Sequence, residues 1–398
     1  MALAALLAGS ATLLLAAEAS ADCATAPETC SLAEVATAAD FFAGAAVLGP
    51  TQTGVAETIG PHFNSMTPED ALKWGELAAT VGSYDFALAD SLVDLAEAAG
   101  ARVRGHALVW SRGPLPADLP DDVAGATDPA ARLTELIETH IATVAGRYMG
   151  RIETWDVVNE PLAPYGSAAL NDDLFAQTLG ETYIDLAFEV AHAADPGAKL
   201  YLNEFFSDYG DVKAQAFLAL VERLLARGVP LHGVGVQTHQ NPQPSLVTPY
   251  DPDFPGFLAA LAALGVEIEI TELDLTIWWF RNEPDPLAAH GAVYGQLAAD
   301  CVALPACRGI TVWGVTDPDT FMDQTFPWNI IAPNRPLLFD DAVAPKPAYF
   351  AVRDAIATRV PEPQALLLGC VAWMALAGCS LRPSARGRAR RAATPAAR

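Results

Sequence analysis

"TWDVVNEP", residues 154–161, is an apolar run that halts on an amide, a carboxylate and a proline. A strand that stays apolar along its length is buried on both faces, as happens in parallel sheets covered by helices. Proline cannot donate to a sheet ladder, so the run ends there. The chain thus brings Asn159 and Glu160 to the tip of a buried strand. A glutamate at that point either caps a turn or works with a partner, and the rest of the chain decides which.

Further runs of the same kind are "FFAGAAVL" (41–48), "ARVRGHALVW" (101–110), "AKLYLNEF" (198–205), "HGVGVQTH" (232–239), "VEIEITELDL" (266–275) and "GITVWGVT" (309–316). Between them lie amphipathic segments rich in alanine and leucine, over 85–99, 129–149, 172–194, 212–227, 254–264 and 286–303. Strands alternating with helices imply parallel strands joined by crossover helices. The stretch "ETIGPHFNSM" (57–66) supplies an eighth strand, although its periodicity is poor. No glycine-rich phosphate loop opens a helix, and polar or aromatic residues gather at nearly every strand end. The fold class expected is therefore α/β, a single (β/α)8 TIM barrel over residues 41–358, with its site at the C-terminal face of the strands.

Those strand ends read, in order, Asn64, Glu69, Asp70, Lys73 and Trp74; His106 and Trp110; Asn159 and Glu160; Asn203 and Glu204; Gln237 and His239; Glu272 and Asp274; and Trp313. Amides and carboxylates fork hydrogen bonds to ring hydroxyls, while indole faces stack on the apolar sides of a pyranose, so the set suits a sugar. Glu272 ends the apolar run 266–270 and lies three barrel units beyond Glu160. Two carboxylates flanking a glycosidic bond are the minimum equipment for its hydrolysis, one protonating the leaving oxygen and the other attacking the anomeric carbon. Trp155 and Trp110 are expected to keep Glu160 protonated. His239, oriented by Asp274, is expected to keep Glu272 ionised. Glu267 and Glu269, of opposite parity to Glu272, are expected to be paired at the base of the strand, and Glu204 is a weaker candidate for a supporting acid.

Charge narrows the partners. The formal net charge is −25, and residues 364–398 hold six arginines and no acid, so the rest of the chain carries −31. Such a body repels a phosphate backbone, and nucleic acid is excluded as a partner. The two ends read as addresses. "ALAALLAGSATLLLAA" followed by "ASA" (19–21) fits a secretory signal over 1–21, with a lead-in over 22–40. Export to an oxidising compartment suits Cys23, Cys30, Cys301 and Cys307. Three connectivities are open to them, and the two local pairs, 23–30 and 301–307, are expected. At the far end, "VPEP" (360–363) precedes seventeen uncharged residues (365–381) and the arginine-rich terminus. That length is the lower limit for a membrane-spanning helix. A Pro-Glu-Pro motif, an apolar helix and a basic end resemble the PEP-CTERM sorting signal. The resemblance implies export to the envelope or beyond and processing of residues 359–398 by exosortase-type machinery. A simple tail anchor is the alternative.

The motifs "FNSMTPEDALKW", "RGHALVW", "WDVVNE", "GVGVQTH", "ITELDL", "ITVWGVTD" and "PLLFDDAVAPKPAYFAV" stand in order along the chain. Together they resemble glycoside hydrolase family 10, the endo-β-1,4-xylanases, over about 41–357. The resemblance implies double displacement with retention, Glu160 as acid/base, Glu272 as nucleophile, and xylan or a related β-1,4-glycan as substrate. It also implies sugar-binding roles for Glu69, Asp70, Lys73, His106, Trp110, Asn159, Gln237, His239 and Trp313, supported by Asn203 and Asp274. No cofactor or metal is implied. The sequence departs from the family pattern within the cleft. Asp70 stands where asparagine is usual, Ser111 where histidine is usual, and Phe321, Met322 and Asp323 where tryptophan and a nearby arginine are usual. "NEF" (203–205) replaces Asn-Asp-Tyr. Two alternatives remain open: the same machinery acting on another β-glycan, or a non-catalytic glycan-binding protein on the cell surface.

Overall fold

The computed structural model describes residues 23, 25–164, 166–240, 248–325 and 334–361. The expected signal (1–21) and nearly all of the sorting tail, from residue 362 onward, lie outside the described residues.

Eight strands of the described residues form a closed parallel barrel. They are β1 (Phe42–Val47), β2 (Ser65–Pro68), β3 (Arg102–Val109), β4 (Thr154–Asn159), β5 (Lys199–Glu204), β6 (Gly233–Val236), β7 (Glu267–Leu275) and β8 (Cys307–Val312). Each pairs with its neighbour in chain order, and β1 closes on β8 through registers such as Gly44↔Thr311. Beyond β6, the segment His239–Gln240 pairs with Asp274 and Leu275 at the top of β7. The barrel expected from the alternation is the one observed.

The helices fall close to the apolar-periodic segments because their starts are written in the sequence. Asp128, Asp211 and Asp285 each accept a bond from the backbone N–H three residues on, at 2.9–3.1 Å, and in two of the three a proline follows. An aspartate cap followed by proline satisfies an orphan donor where the missing proline N–H costs nothing. These caps open the helices Pro129–Arg147, Val212–Ala226 and Pro286–Val302. The segment expected as one helix over 172–194 is instead two, Leu174–Leu179 and Thr182–Ala194, because Gly180 takes φ 62° and breaks it.

The eighth strand needs correcting. Residues 57–66 hold the end of a short helix, Val55–Thr58, and a turn, and β2 begins only at Ser65. Asn64 is accordingly at the base of the barrel and not at its mouth: its side chain accepts from Ala43 N (2.9 Å) and donates to Phe41 O (3.1 Å), tying β1 to β2. Residues 22–40 contain the helix Leu32–Ala38, opened by a Ser31/Glu34 capping box. That helix packs under the barrel against the last helix of the described residues, Pro347–Ala357, where the Tyr349 hydroxyl accepts from Leu32 N (2.8 Å) and bonds His62 Nδ1 (2.8 Å). Both local cysteine pairs are joined, Cys23–Cys30 and Cys301–Cys307, with Cα–Cα distances of 5.7 and 5.4 Å.

The inside of the barrel is ionic at its base. Arg102 donates to Glu269 (2.6 Å), Arg104 pairs with Asp156 and lies 3.2 Å from Glu269, and Glu267 accepts from Lys199 (3.2 Å) and Tyr201 (3.1 Å). Glu267 and Glu269 are thus paired at the base, as the parity argument expects. Glu269 and Glu272 nonetheless both reach the interior, three residues apart, because the ladder with β8 slips between Ile270 and Leu273.

Candidate active site

The mouth is assembled from the tips of seven strands, β2 to β8. Glu160 follows β4 with φ 54°, a left-handed conformation that a non-glycine residue adopts at a cost. Two bonds hold it there: its N–H donates to Asn203 O (2.8 Å), and the Asn171 amide donates to its carbonyl. The turn brings the Glu160 carboxylate to Gln237, on the tip of β6. Thr238, at φ 62°, makes a similar turn before His239, which reaches Glu272 and Asp274.

Glu160 and Glu272 are joined through amides. Asn203 Nδ2 donates to Glu272 Oε1 (2.6 Å) and to Asn159 Oδ1 (2.8 Å), and Gln237 Nε2 donates to Glu160 Oε1 (3.0 Å). Gly235 makes room for this chain, since a Cβ there would fall 2.0 Å from Asn203 Oδ1. Both glutamates are buried, at 8% and 4% exposure.

Their surroundings differ. Burial opposes the charge on Glu272, but the bond from His239 Nε2 (3.1 Å) and the nearby His106 outweigh it, and the carboxyl is held below the usual glutamate range. Burial likewise opposes charge on His239. Asp274, 2.9 Å from Nδ1, and Glu272 together overcome it, so the imidazole is pushed up to about 10 and stays charged at neutral pH. This is the Asp274–His239–Glu272 relay expected from the sequence. Around Glu160 the expectation fails. Trp155 points away from the mouth into the helix layer, its ring 6.5 Å from that of Tyr148, and Trp110 lies beside His106 and Lys73. In their place Arg112 Nη1 donates to Glu160 Oε2 at 3.0 Å. The sequence reading missed Arg112, which sits in a stretch without periodicity; its only signal is a cation two residues past a strand-end tryptophan.

Glu69, Asp70, Lys73, Trp110, His106 and Trp313 meet on the side fed by β2, β3 and β8. Lys73 pairs with Asp70 and sits 4.9 Å from the centre of the Trp110 ring. His106 meets Trp313 edge-on at 5.2 Å and is fixed from below by Asp156 (2.9 Å). Burial above all, with Asp70, Glu272 and Asp274 acting the same way against Lys73, pushes Glu69 up to about 8. Glu69 Oε2, Asn159 Nδ2 and Trp110 Nε1 are buried and have no protein partner among the described residues. Buried polar atoms of this kind call for partners, and ring hydroxyls both donate and accept.

Besides Asn64, two further residues of the strand-end list do other work. Trp74 is core, stacked on His140 at 4.0 Å. Glu204 is fully buried, accepting from Lys213 Nζ (2.8 Å), Leu162 N (3.0 Å) and Phe205 N (2.9 Å), so it braces the loops after β4 and β5. Where the family pattern has tryptophan, Phe321 meets His239 edge-on at 5.1 Å.

A (β/α)8 barrel carrying paired glutamates on the tips of β4 and β7, among amides and indoles, has the equipment of a glycoside hydrolase. Residues 31–355 match glycosyl hydrolase family 10, and the chain belongs to that family. Endo-1,4-beta-xylanase A of Phanerodontia chrysosporium is 37% identical over 264 residues, covering 66% of this chain and 62% of its own. Endo-1,4-beta-xylanase B of Paenibacillus barcinonensis is 34% identical over 323 residues, covering 78% and 94%. This chain therefore spans less than two thirds of the first and nearly all of the second. Among solved structures, native xylanase 10B from Thermotoga maritima superposes with a TM-score of 0.72 at 28% identity, covering 83% of this chain and 99% of that one. Xylanase 10B from Thermotoga petrophila RKU-1 in complex with xylobiose gives the same TM-score and identity.

Proposed function

We propose that the protein cleaves internal β-1,4 bonds of xylan by double displacement with retention. The observation that carries the reading is the contrast within one bridged pair. Glu272 is held ionised by His239 and accepts from Asn203 in the interior, while the outer oxygen of Glu160 meets Arg112, a side chain 40% exposed. In the first step Glu160 gives its proton to the glycosidic oxygen as that bond breaks, and Glu272 attacks the anomeric carbon to form a glycosyl ester. In the second, Glu160 takes a proton from water as the water displaces Glu272, restoring both groups. Asn159 Nδ2 is free to donate to the 2-hydroxyl of the sugar being cleaved, a contact that strengthens in the transition state. Glu69, Asp70, Lys73 and Trp110 hold the sugars on the non-reducing side.

The test is product analysis on glucuronoxylan, arabinoxylan, cellulose and mixed-linkage glucan, with Glu272→Ala alongside. Short xylo-oligomers from the wild type alone are expected. Release from another glycan only would move the specificity, and normal turnover by the variant would sink the pair. Glu160→Ala should spare substrates with good leaving groups; equal losses on activated and natural substrates would refute its acid role.

We also propose that the protein is exported, with residues 1–21 removed and the tail from 359 processed by exosortase-type machinery or retained as an anchor. The N-terminal apolar stretch and the motif–helix–arginine order support this. The intact mass of protein recovered from the envelope decides it: loss of both ends is expected, and full-length protein in the cytoplasm would refute it.

A further inference from the structure

Arg112 is not among the residues that the family resemblance accounts for, yet it touches the catalytic pair. The two oxygens of Glu160 are both engaged, Oε1 by Gln237 in the interior and Oε2 by Arg112 on the cleft side. The proton for the leaving oxygen must be delivered from one of them. Gln237 is 2% exposed and fixed among amides, whereas the Arg112 side chain is 40% exposed. The guanidinium is therefore the group that must give way when substrate enters, and it must do so on the leaving-group side, where that oxygen lies.

Where it goes depends on what it meets. The lysines near the mouth are committed: Lys73 to Asp70 and the Trp110 ring, Lys213 to Glu204 in the core. Arg112 holds Glu160 by a single 3.0 Å bond and lies 5.3 Å from the centre of the Phe205 ring, on the loop after β5. A neutral sugar would leave the displaced guanidinium to water. A carboxylate on that sugar would accept the same fork of donors, exchanging one anion for another. The exchange also answers a wider difficulty, since a chain of net charge −25 repels an acidic polysaccharide unless a cation waits in the cleft.

We propose that Arg112 is a specificity residue for uronic-acid side groups borne by the backbone sugar on the leaving-group side. A bound uronate draws the guanidinium off Glu160 and frees its oxygen for proton transfer. This rests on the xylanase reading above and deepens it.

The test compares kcat/KM for an unbranched xylo-oligosaccharide, a uronate-branched one of equal backbone length, and the latter with its carboxyl reduced to the alcohol. The wild type should favour the uronate-branched oligomer over its reduced form by about tenfold, the worth of a charge-assisted bond discounted for exposure. Arg112→Ser should bring the ratio near one, and Arg112→Lys should keep part of it. The reduced substrate needs no variant, so a misfolded variant would not block the answer. Equal rates on the acid and its reduced form by the wild type, or an unchanged ratio in Arg112→Ser, would overturn the proposal. Cleavage of the unbranched oligomer is read separately: its absence would count against the xylanase reading, and its presence beside an unchanged ratio against Arg112 alone.

Discussion

Gly235→Ala tests whether the amide bridge between the two glutamates matters to the chemistry. The added Cβ would fall 2.0 Å from Asn203 Oδ1 and 2.8 Å from the Thr271 methyl. Neither neighbour can yield cheaply, because Asn203 is fully buried and bonded to Glu272 (2.6 Å), Asn159 (2.8 Å) and Thr271 (2.7 Å). The side chain has to leave that position, and Glu272 loses its amide donor. A hydrogen bond to a charged group is worth about 1.5–3 kcal/mol, which is about 10- to 150-fold in kcat/KM. Overpacking the barrel adds about 1–3 kcal/mol of lost stability. The assay is kcat/KM on an aryl xylobioside, with thermal unfolding of the same preparations. Asn203→Ala removes the nearer obstacle and the donor together, so Gly235→Ala in that background should cost less activity than it does alone, a clear departure from additivity. If Gly235→Ala keeps wild-type kcat/KM, or if the two losses simply add, the amide bridge is not what holds Glu272.

Other expectations follow from charge. His239→Gln removes the cation beside Glu272, so the acid limb of the kcat/KM profile should move up by about one unit or more; an unmoved limb would deny His239 that role. Stability should fall at both ends of the pH scale. Asp156 and Glu272 are held below their ordinary ranges by Arg104 and by His239 against the opposing effect of burial, so their contribution is present above the unfolded value and lost as pH falls through the folded one. His239 is raised, so its contribution is whole below about 6.5 and lost as pH rises through about 10. Unfolding temperature against pH checks both limbs, and a flat alkaline limb would contradict the second. Asp156→Asn leaves buried Arg104 with only Glu269, which Arg102 shares, and should cost about 3 kcal/mol in denaturant unfolding; a change under about 1 kcal/mol would mean the network yields easily.

Much of this was legible because it is local. Aspartate caps, with proline after two of them, fix three helix starts, and apolar runs ending in polar residues point to the mouth at Glu160, Gln237 and Glu272. What was not legible depends on where a ladder slips or a side chain turns. A four-residue strand such as β2, with threonine and proline in it, has too few positions for a period, and its start was placed too early. The ladders of β4 slip between Asp156 and Val158, so counting alternate residues from Asn159 gives the wrong direction for Trp155. Arg112 belongs to no periodic segment at all. Its place over Glu160 is a consequence of tertiary structure alone.

The ionic base of the barrel raises a separate question, since apolar residues of similar volume could fill that space as stably. The answer lies in how the inward side chains stack. Arg102 and Glu269 occupy the lower level, Arg104 and Asp156 the next, and Asp156 then holds His106 at 2.9 Å. Each charge orients the one above it, and the last in the series lies edge-on to Trp313 and helps keep Glu272 ionised. An apolar plug would fill the volume and leave the His106 ring free to turn. The network's contribution is thus the fixed direction of a side chain in the mouth. It should be felt in turnover at Asp156, one level above the Arg102–Glu269 pair, even where the fold survives.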